Sequence, residues 1–168
     1  ALLFHYSFLV ILIRHLRFFT EPVPMFVEKT EFLDSIMQIG LPLLYQTDAL
    51  LLAGLFFLLA RRIFDTKVRY ISLLQDYFPL FLLIGIALTG VWMRYVVKVD
   101  VVAVKDLAMG LVTLHPALPK QPLDPSFYAH ITLVCALFIY FPFSKLTHMA
   151  GVFLSPTRAV PNMSRRAM

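Results

Sequence analysis

What most limits the fold of this chain is its division into apolar runs of bilayer length whose charges gather at the ends. Residues Ala1 to Phe19, Thr47 to Phe64, Tyr77 to Lys98 and Phe127 to Met149 form four such runs. Each is close to the ~20 residues that carry a helix, at ~1.5 Å per residue, across a ~30 Å hydrocarbon core. A soluble domain would have to cover them with polar surface, yet 60% of the 168 residues are hydrophobic, 15% are charged and the mean hydropathy is +0.78. Lipid offers the backbone no hydrogen-bond partner, so each run must satisfy its own amides as a helix. The expected fold is therefore all-α, a single integral membrane helix bundle over residues 1–168, with four transmembrane helices and short interfacial helices between them.

The connections carry their own signals. Glu21-Pro22-Val23-Pro24 stops the first run, because proline neither donates to a helix nor tolerates helical geometry before it. From Glu28 to Ile39, Phe32, Ile36 and Ile39 share one side and Glu28, Glu31, Asp34, Ser35 and Gln38 lie elsewhere, which predicts a short helix on the membrane surface. Thr47 and Asp48 read as a cap on the second span, and Arg61 and Arg62 mark its far end. Asp76 reads as the start of the third span, and Trp92, Arg94 and Tyr95 as its interfacial end. A loop from Val99 to Phe127 follows, long enough to be functional, and its Val102 to Leu114 stretch predicts a second surface helix. Residues 150–168 form a polar tail. The chain begins at Ala1, inside an apolar segment and without an initiator methionine, and is expected to be truncated at its N-terminus.

A formal charge of +5 would suit nucleic acid, but the basic residues flank apolar runs and form no stripe, so the expected partner is the lipid bilayer and no nucleic acid. Arg61, Arg62, Lys67, Arg69, Lys145, Arg158, Arg165 and Arg166 form a compact basic side, opposed by only Asp65 and Asp76. That side is expected to be cytoplasmic, which makes the chain a multi-pass protein of the cytoplasmic (inner) membrane with its C-terminus inside. Cys135 is the single cysteine, so neither a disulfide nor a CxxCH haem attachment is possible. No Gly-rich phosphate loop, CxxC pair, HExxH or serine nucleophile elbow is present, and no residue is expected to catalyse bond-making chemistry.

Histidines at membrane depth are expensive and point to function. His5 and His15 are ten residues apart on the first span, ~15 Å along the axis. His130 and His148 are eighteen apart, which on one continuous helix is five turns and ~27 Å. The two spans are antiparallel by count, so His5 shares a depth with His148 and His15 with His130. Two facing imidazoles at one depth are what a b-type haem needs, and two such pairs predict two haem b groups. The unequal separations call for helix tilt or a bend at Pro142. A plainer role, hydrogen bonding between helices, suits any one of the four taken alone.

The phrases FHYSFLVILIRHLRFF around His5 and His15, and FYAHITLVCALFIYFPFSKLTHMAGVFLSPTR around His130 and His148, resemble the gamma subunit of respiratory nitrate reductase. Together with QDYFPLFLLIGIALTGVWMRY and KDLAMGLVTLHP, they are more similar still to the DsrM-type cytochrome b subunits of the DsrMKJOP complexes associated with sulfite reduction. The resemblance implies a dihaem, menaquinol-reactive subunit that exchanges electrons with DsrK, a cytoplasmic iron-sulfur partner related to heterodisulfide reductase, in sulfate reduction and sulfur respiration. It makes His5 and His148 the iron ligands nearer the cytoplasm, and His15 and His130 those nearer the outer face. Family members carry at least one helix before the first histidine pair, so the resemblance implies that further sequence precedes Ala1.

Arg14, Arg17, Arg94 and Lys98 gather near His15 and His130, where they could contact haem propionates or a quinone carbonyl, or else snorkel to lipid phosphates. His115 is either a proton acceptor for quinol or an exposed loop residue. Gly85 and Gly90 read as close-packing sites, between helices or against a porphyrin. Two other functional classes fit an apolar bundle. A haem-free membrane anchor for a peripheral redox enzyme would lack a b-type absorption band, and a histidine-relay transporter would show internal repeats, which the sequence lacks.

Overall fold

The computed structural model describes residues 2–39, 43–116, 119 and 122–148. In chain order, the helices are α1 (Leu2–His15), α2 (Met25–Ile36), α3 (Gln46–Phe64), α4 (Thr66–Ile71), α5 (Leu74–Trp92), α6 (Val101–Val112) and α7 (Pro125–Tyr140). A minimal antiparallel ribbon lies between α2 and α3, with β1 (Gln38–Ile39) paired to β2 (Leu44–Tyr45) so that Gln38 faces Tyr45 and Ile39 faces Leu44. The chain is mostly helical, as the all-α expectation has it, and this short ribbon holds Tyr45 in place at the start of α3.

Packing is serial: α1 lies on α3, α3 on α5 and α5 on α7. The core is the seam between α3 and α5, where Leu51, Leu55, Leu80, Leu83, Ile84 and Ala87 are buried and Phe4, Phe8, Ile11 and Leu137 press in from α1 and α7. Glycines permit the close approaches. A Cβ on Gly54 would meet Phe4 at 3.3 Å from its Cβ and 3.4 Å from its Cα, and one on Gly85 would meet Leu133 Cδ1 at 3.3 Å. At Gly54 the obstacle is backbone, which cannot rotate aside. Gly54→Val is therefore expected to lower stability by about 1–3 kcal/mol through overpacking. The check is the thermal midpoint in detergent, and an unchanged midpoint would mean that α1 and α3 separate freely.

Outside this seam the chain is apolar toward its surroundings. Two helical stretches are long and apolar enough to cross a membrane, Leu74–Val97 with a hydropathy of 2.0 and Pro125–Phe143 with 1.6. A core helix of a soluble protein would be mostly buried, whereas only 28% and 6% of their most apolar windows are buried here. Phe138 and Ile139 on α7 are 71% and 72% exposed. α1, with 14 residues, and α3, whose 19 residues include Asp48, Arg61 and Arg62, do not meet that criterion.

α2 buries Val27 and Asp34 and leaves Phe26, Glu28, Lys29, Phe32, Leu33 and Ile36 exposed. Arg17 on the 3₁₀ turn after α1 pairs with Glu31 of α2, and Lys105 of α6 pairs with Glu21 before it. α6 forms in the long loop, as its sequence predicts, with Asp100 capping it by accepting from the amides of Val102 and Ala103. Asp65 caps α4 in the same manner, a helix the sequence reading left as a connector.

Candidate functional site

The expectation that residues 127–149 form one helix is corrected. α7 ends at Tyr140, a 3₁₀ turn follows over Phe141–Phe143, and Ser144 is extended (φ −109°, ψ 164°). A second 3₁₀ turn, Lys145–Thr147, then leads to His148. Two local features end the helix. Pro142 has no amide to donate, and the Ser144 hydroxyl accepts from the Leu146 amide at 3.2 Å, starting a new turn. At the other end of α7, Asp124 accepts from the Ser126 hydroxyl and amide, bonds that hold its carboxyl below the usual range. The cap is therefore complete at neutral pH and is lost only as pH falls through that lowered value.

The break folds the segment after α7 back over the start of α5. Lys145 Nζ reaches Asp76 Oδ1 at 2.8 Å, and the Tyr140 hydroxyl donates to the Gln75 carbonyl at 3.1 Å. Asp76 itself is buried, accepts from the Leu73 amide at 3.0 Å as the sequence reading of a helix start requires, and lies 4.0 Å from Arg62 of α3. His148 is thereby brought beside α1. Its ring centroid lies 6.1 Å from that of His5, with the ring planes at 82°. The ~27 Å expected between His130 and His148 on a continuous helix does not apply here, because the helix is broken at Pro142 and Ser144.

The 6.1 Å separation fits an intervening iron. Two imidazoles bound to one metal by bonds of about 2 Å, with about 1 Å more from each nitrogen to its ring centre, have centroids about 6 Å apart. The tautomers fit as well. His148 Nδ1 lies 2.8 Å from the Lys145 carbonyl and His15 Nδ1 lies 2.7 Å from the Ile11 carbonyl. A carbonyl only accepts, so both Nδ1 atoms carry a proton, and Nε2 is the nitrogen whose lone pair the neutral ring would offer a metal. His130 comes within electrostatic reach of His15, and its Nδ1 lies 2.9 Å from Thr89 Oγ1 on α5. Among the described residues no three His, Cys, Asp or Glu side chains converge into a metal cage. An imidazole pair such as His5–His148 suits a metal whose remaining ligands come from a porphyrin. His115 stays in the loop, exposed, with Nδ1 2.8 Å from the Thr113 carbonyl.

Beside His15 the chain buries a charge cluster that the sequence reading missed. Arg14 Nη1 donates to Asp34 Oδ2 at 2.6 Å, to Thr47 Oγ1 at 3.2 Å and to Asp48 Oδ1 at 3.2 Å. The Thr47 hydroxyl donates to Asp34 Oδ2 at 2.5 Å, and the Tyr95 hydroxyl donates to Asp48 Oδ2 at 2.6 Å while accepting from the Tyr45 amide at 2.9 Å. Thr47 and Asp48, expected as a cap on α3, are thus committed to Arg14 and Tyr95; Tyr45 occupies the cap position without a side-chain bond. Arg94 sits where α5 widens into a π turn over Met93–Val97, and its guanidinium stacks 3.9 Å from the Tyr45 ring centre, with Arg14 at 4.5 Å from the same ring. Arg17 is taken by Glu31. Among the described residues Arg94 has no carboxylate partner, and Arg14 Nε is buried without an acceptor. These donors, with Lys98, which also has no carboxylate partner among the described residues, are available to a bound carboxylate or carbonyl.

A family model for the nitrate reductase gamma subunit matches residues 1–160. The chain belongs to this family. Within reach of the nitrate reductase gamma subunit family lie the Hdr-like menaquinol oxidoreductase cytochrome b-like subunits of Archaeoglobus fulgidus and Archaeoglobus profundus. They are 46% and 47% identical to it over 168 and 169 residues, or 98% and 99% of this chain. The match takes in 51% and 50% of those proteins, so the chain spans about half the length of the curated relatives it matches.

Proposed function

We propose that this gamma-family chain is a dihaem b-type cytochrome, a multi-pass subunit of the cytoplasmic membrane that passes electrons between menaquinol and an iron-sulfur partner. The observation that carries the proposal is the His5–His148 pair, with ring centres 6.1 Å apart and the His148 proton committed to a carbonyl. His5 and His148 would hold the haem nearer the cytoplasm, and His15 and His130 the one nearer the outer face. Haem b, when bound, supplies a one-electron carrier at each site.

This chain's own residues do the remaining work. The apolar faces of α5 and α7 suit lipid, and with α1 and α3 make four spans. His15 and His148 each have an Nδ1 donor held by a backbone carbonyl and His130 has Nδ1 against the Thr89 hydroxyl, contacts that orient the three rings for binding through Nε2. Arg14 Nε and Arg94 are cationic donors beside the His15 site, where they would bind haem propionates or orient a menaquinol oxygen. The Arg14 cluster keeps that end of α1 rigid. The names of the Archaeoglobus relatives support menaquinol as the electron source and a heterodisulfide-reductase-like partner, as in the DsrM–DsrK relationship of sulfur and sulfite respiration. The C-terminal tail and the basic Arg61, Arg62 and Lys67 side would face that partner in the cytoplasm.

The test is a dithionite-reduced minus oxidised spectrum of the protein, purified with its co-purifying subunits, with pyridine haemochrome quantification. Two b haems per chain and their reduction by a menaquinol analogue are expected. Protein without haem would leave the membrane-anchor role instead.

A further inference from the structure

Of the histidines whose Nδ1 contact is defined, His15 and His148 use backbone carbonyls of their own segment, which no substitution can remove. His130 instead meets a side chain of another helix. Thr89 Oγ1 on α5 lies 2.8 Å from the Gly85 carbonyl, 3.0 Å from the Ile86 carbonyl and 2.9 Å from His130 Nδ1. Carbonyls only accept, so the single hydroxyl proton goes to Gly85 or Ile86 and the lone pair left on Oγ1 faces His130. The arrangement that satisfies every partner has the ring donating from Nδ1, which leaves Nε2 as the bare nitrogen. Gly90 adds a steric constraint: a Cβ there would sit 3.4 Å from His130 Cε1, so the ring lies flush against the α5 backbone.

Back-bonding of threonine to its own helix is common in apolar helices and would by itself make Thr89 a merely satisfied hydroxyl. The third contact sets it apart. We propose that Thr89 is a positioning residue for the His130 site: its hydroxyl accepts the His130 Nδ1–H, fixes the tautomer, and lowers the reduction potential of the haem held there. The proposal rests on the dihaem reading. The sign follows from the chemistry. An imidazole that donates its distal N–H becomes the more basic ligand, and a more basic ligand favours ferric over ferrous iron. The Ile86 carbonyl is also within reach of the ring, so removing the hydroxyl weakens this polarisation without abolishing it.

The experiment is an optical redox titration of the purified protein with its co-purifying subunits, comparing wild type with Thr89→Val and Thr89→Ser. Thr89→Val keeps the shape and loses the acceptor; one of the two haem transitions is expected to move to higher potential while the other stays in place. Thr89→Ser is expected to titrate like wild type. If the valine variant fails to retain haem, Thr89→Cys, a weaker acceptor in a similar volume, is expected to give a smaller shift in the same direction. Two haems with unmoved transitions in the valine or cysteine variant would overturn the role of Thr89 alone, as would equal movement of both. Wild-type protein without haem would overturn the dihaem reading and this proposal together.

Discussion

Replacing His148 with alanine is expected to reduce the haem content from two b groups per chain to one, measured as pyridine haemochrome against protein. The residual methyl group offers no lone pair, and His5 alone cannot complete the axial set on that side. The proposed His15–His130 site would be independent of this change, because His148 follows the 3₁₀ turn beyond Ser144 and is not on α7 itself. Imidazole added to the buffer is expected to restore the missing haem, since His148 is exposed and the vacated position is reachable from outside the bundle. His130→Ala should remove the other haem. Loss of both groups in His148→Ala, with a folded protein by circular dichroism, would show that the histidines do not act as two separate pairs.

The helices α2, α3, α5 and α6 were legible because they depend on local periodicity and on proline, and they fall within a few residues of their expected positions. The shape of the last span was less so. A continuous apolar pattern from Phe127 to Met149 hides the stop at Tyr140, although Pro142 and the capping hydroxyl of Ser144 were both visible. Reading them as a bend kept His148 on the helix axis. Asp34, Asp48 and Thr47 were misjudged for a different reason. On a surface helix or at a helix start, each has an ordinary solvated role, and only the tertiary approach of α1 to α2 and α3 supplies the Arg14 that overrides it. Thr89 is a third kind of case, since a hydroxyl within an apolar run acquires meaning only from what the neighbouring helix presents to it.

Arg14 and Arg17 look alike in the sequence, three residues apart on one short basic patch, but they should respond very differently to substitution. Arg14→Met removes the one cation that both Asp34 and Asp48 pair with, and the three side chains are 7%, 4% and 11% exposed. Neither carboxylate can reach water for compensation, so the variant carries two like charges in an apolar setting. Breaking a buried pair in this way costs about 3–5 kcal/mol. Arg17 pairs with Glu31 at side-chain exposures of 24% and 26%, where solvent competes for both partners. Arg17→Met should cost about 0–1 kcal/mol, the range of solvent-accessible pairs. Thermal midpoints in detergent measure the difference, and equal shifts would refute the buried cluster. A triple variant separates charge from shape: Arg14→Met combined with Asp34→Asn and Asp48→Asn removes the stranded charges and should regain much of the lost midpoint. Haem retention at the His15 site gives the functional readout, because Arg14 precedes that ligand and its cluster joins α1, α2 and α3 at that end of the bundle.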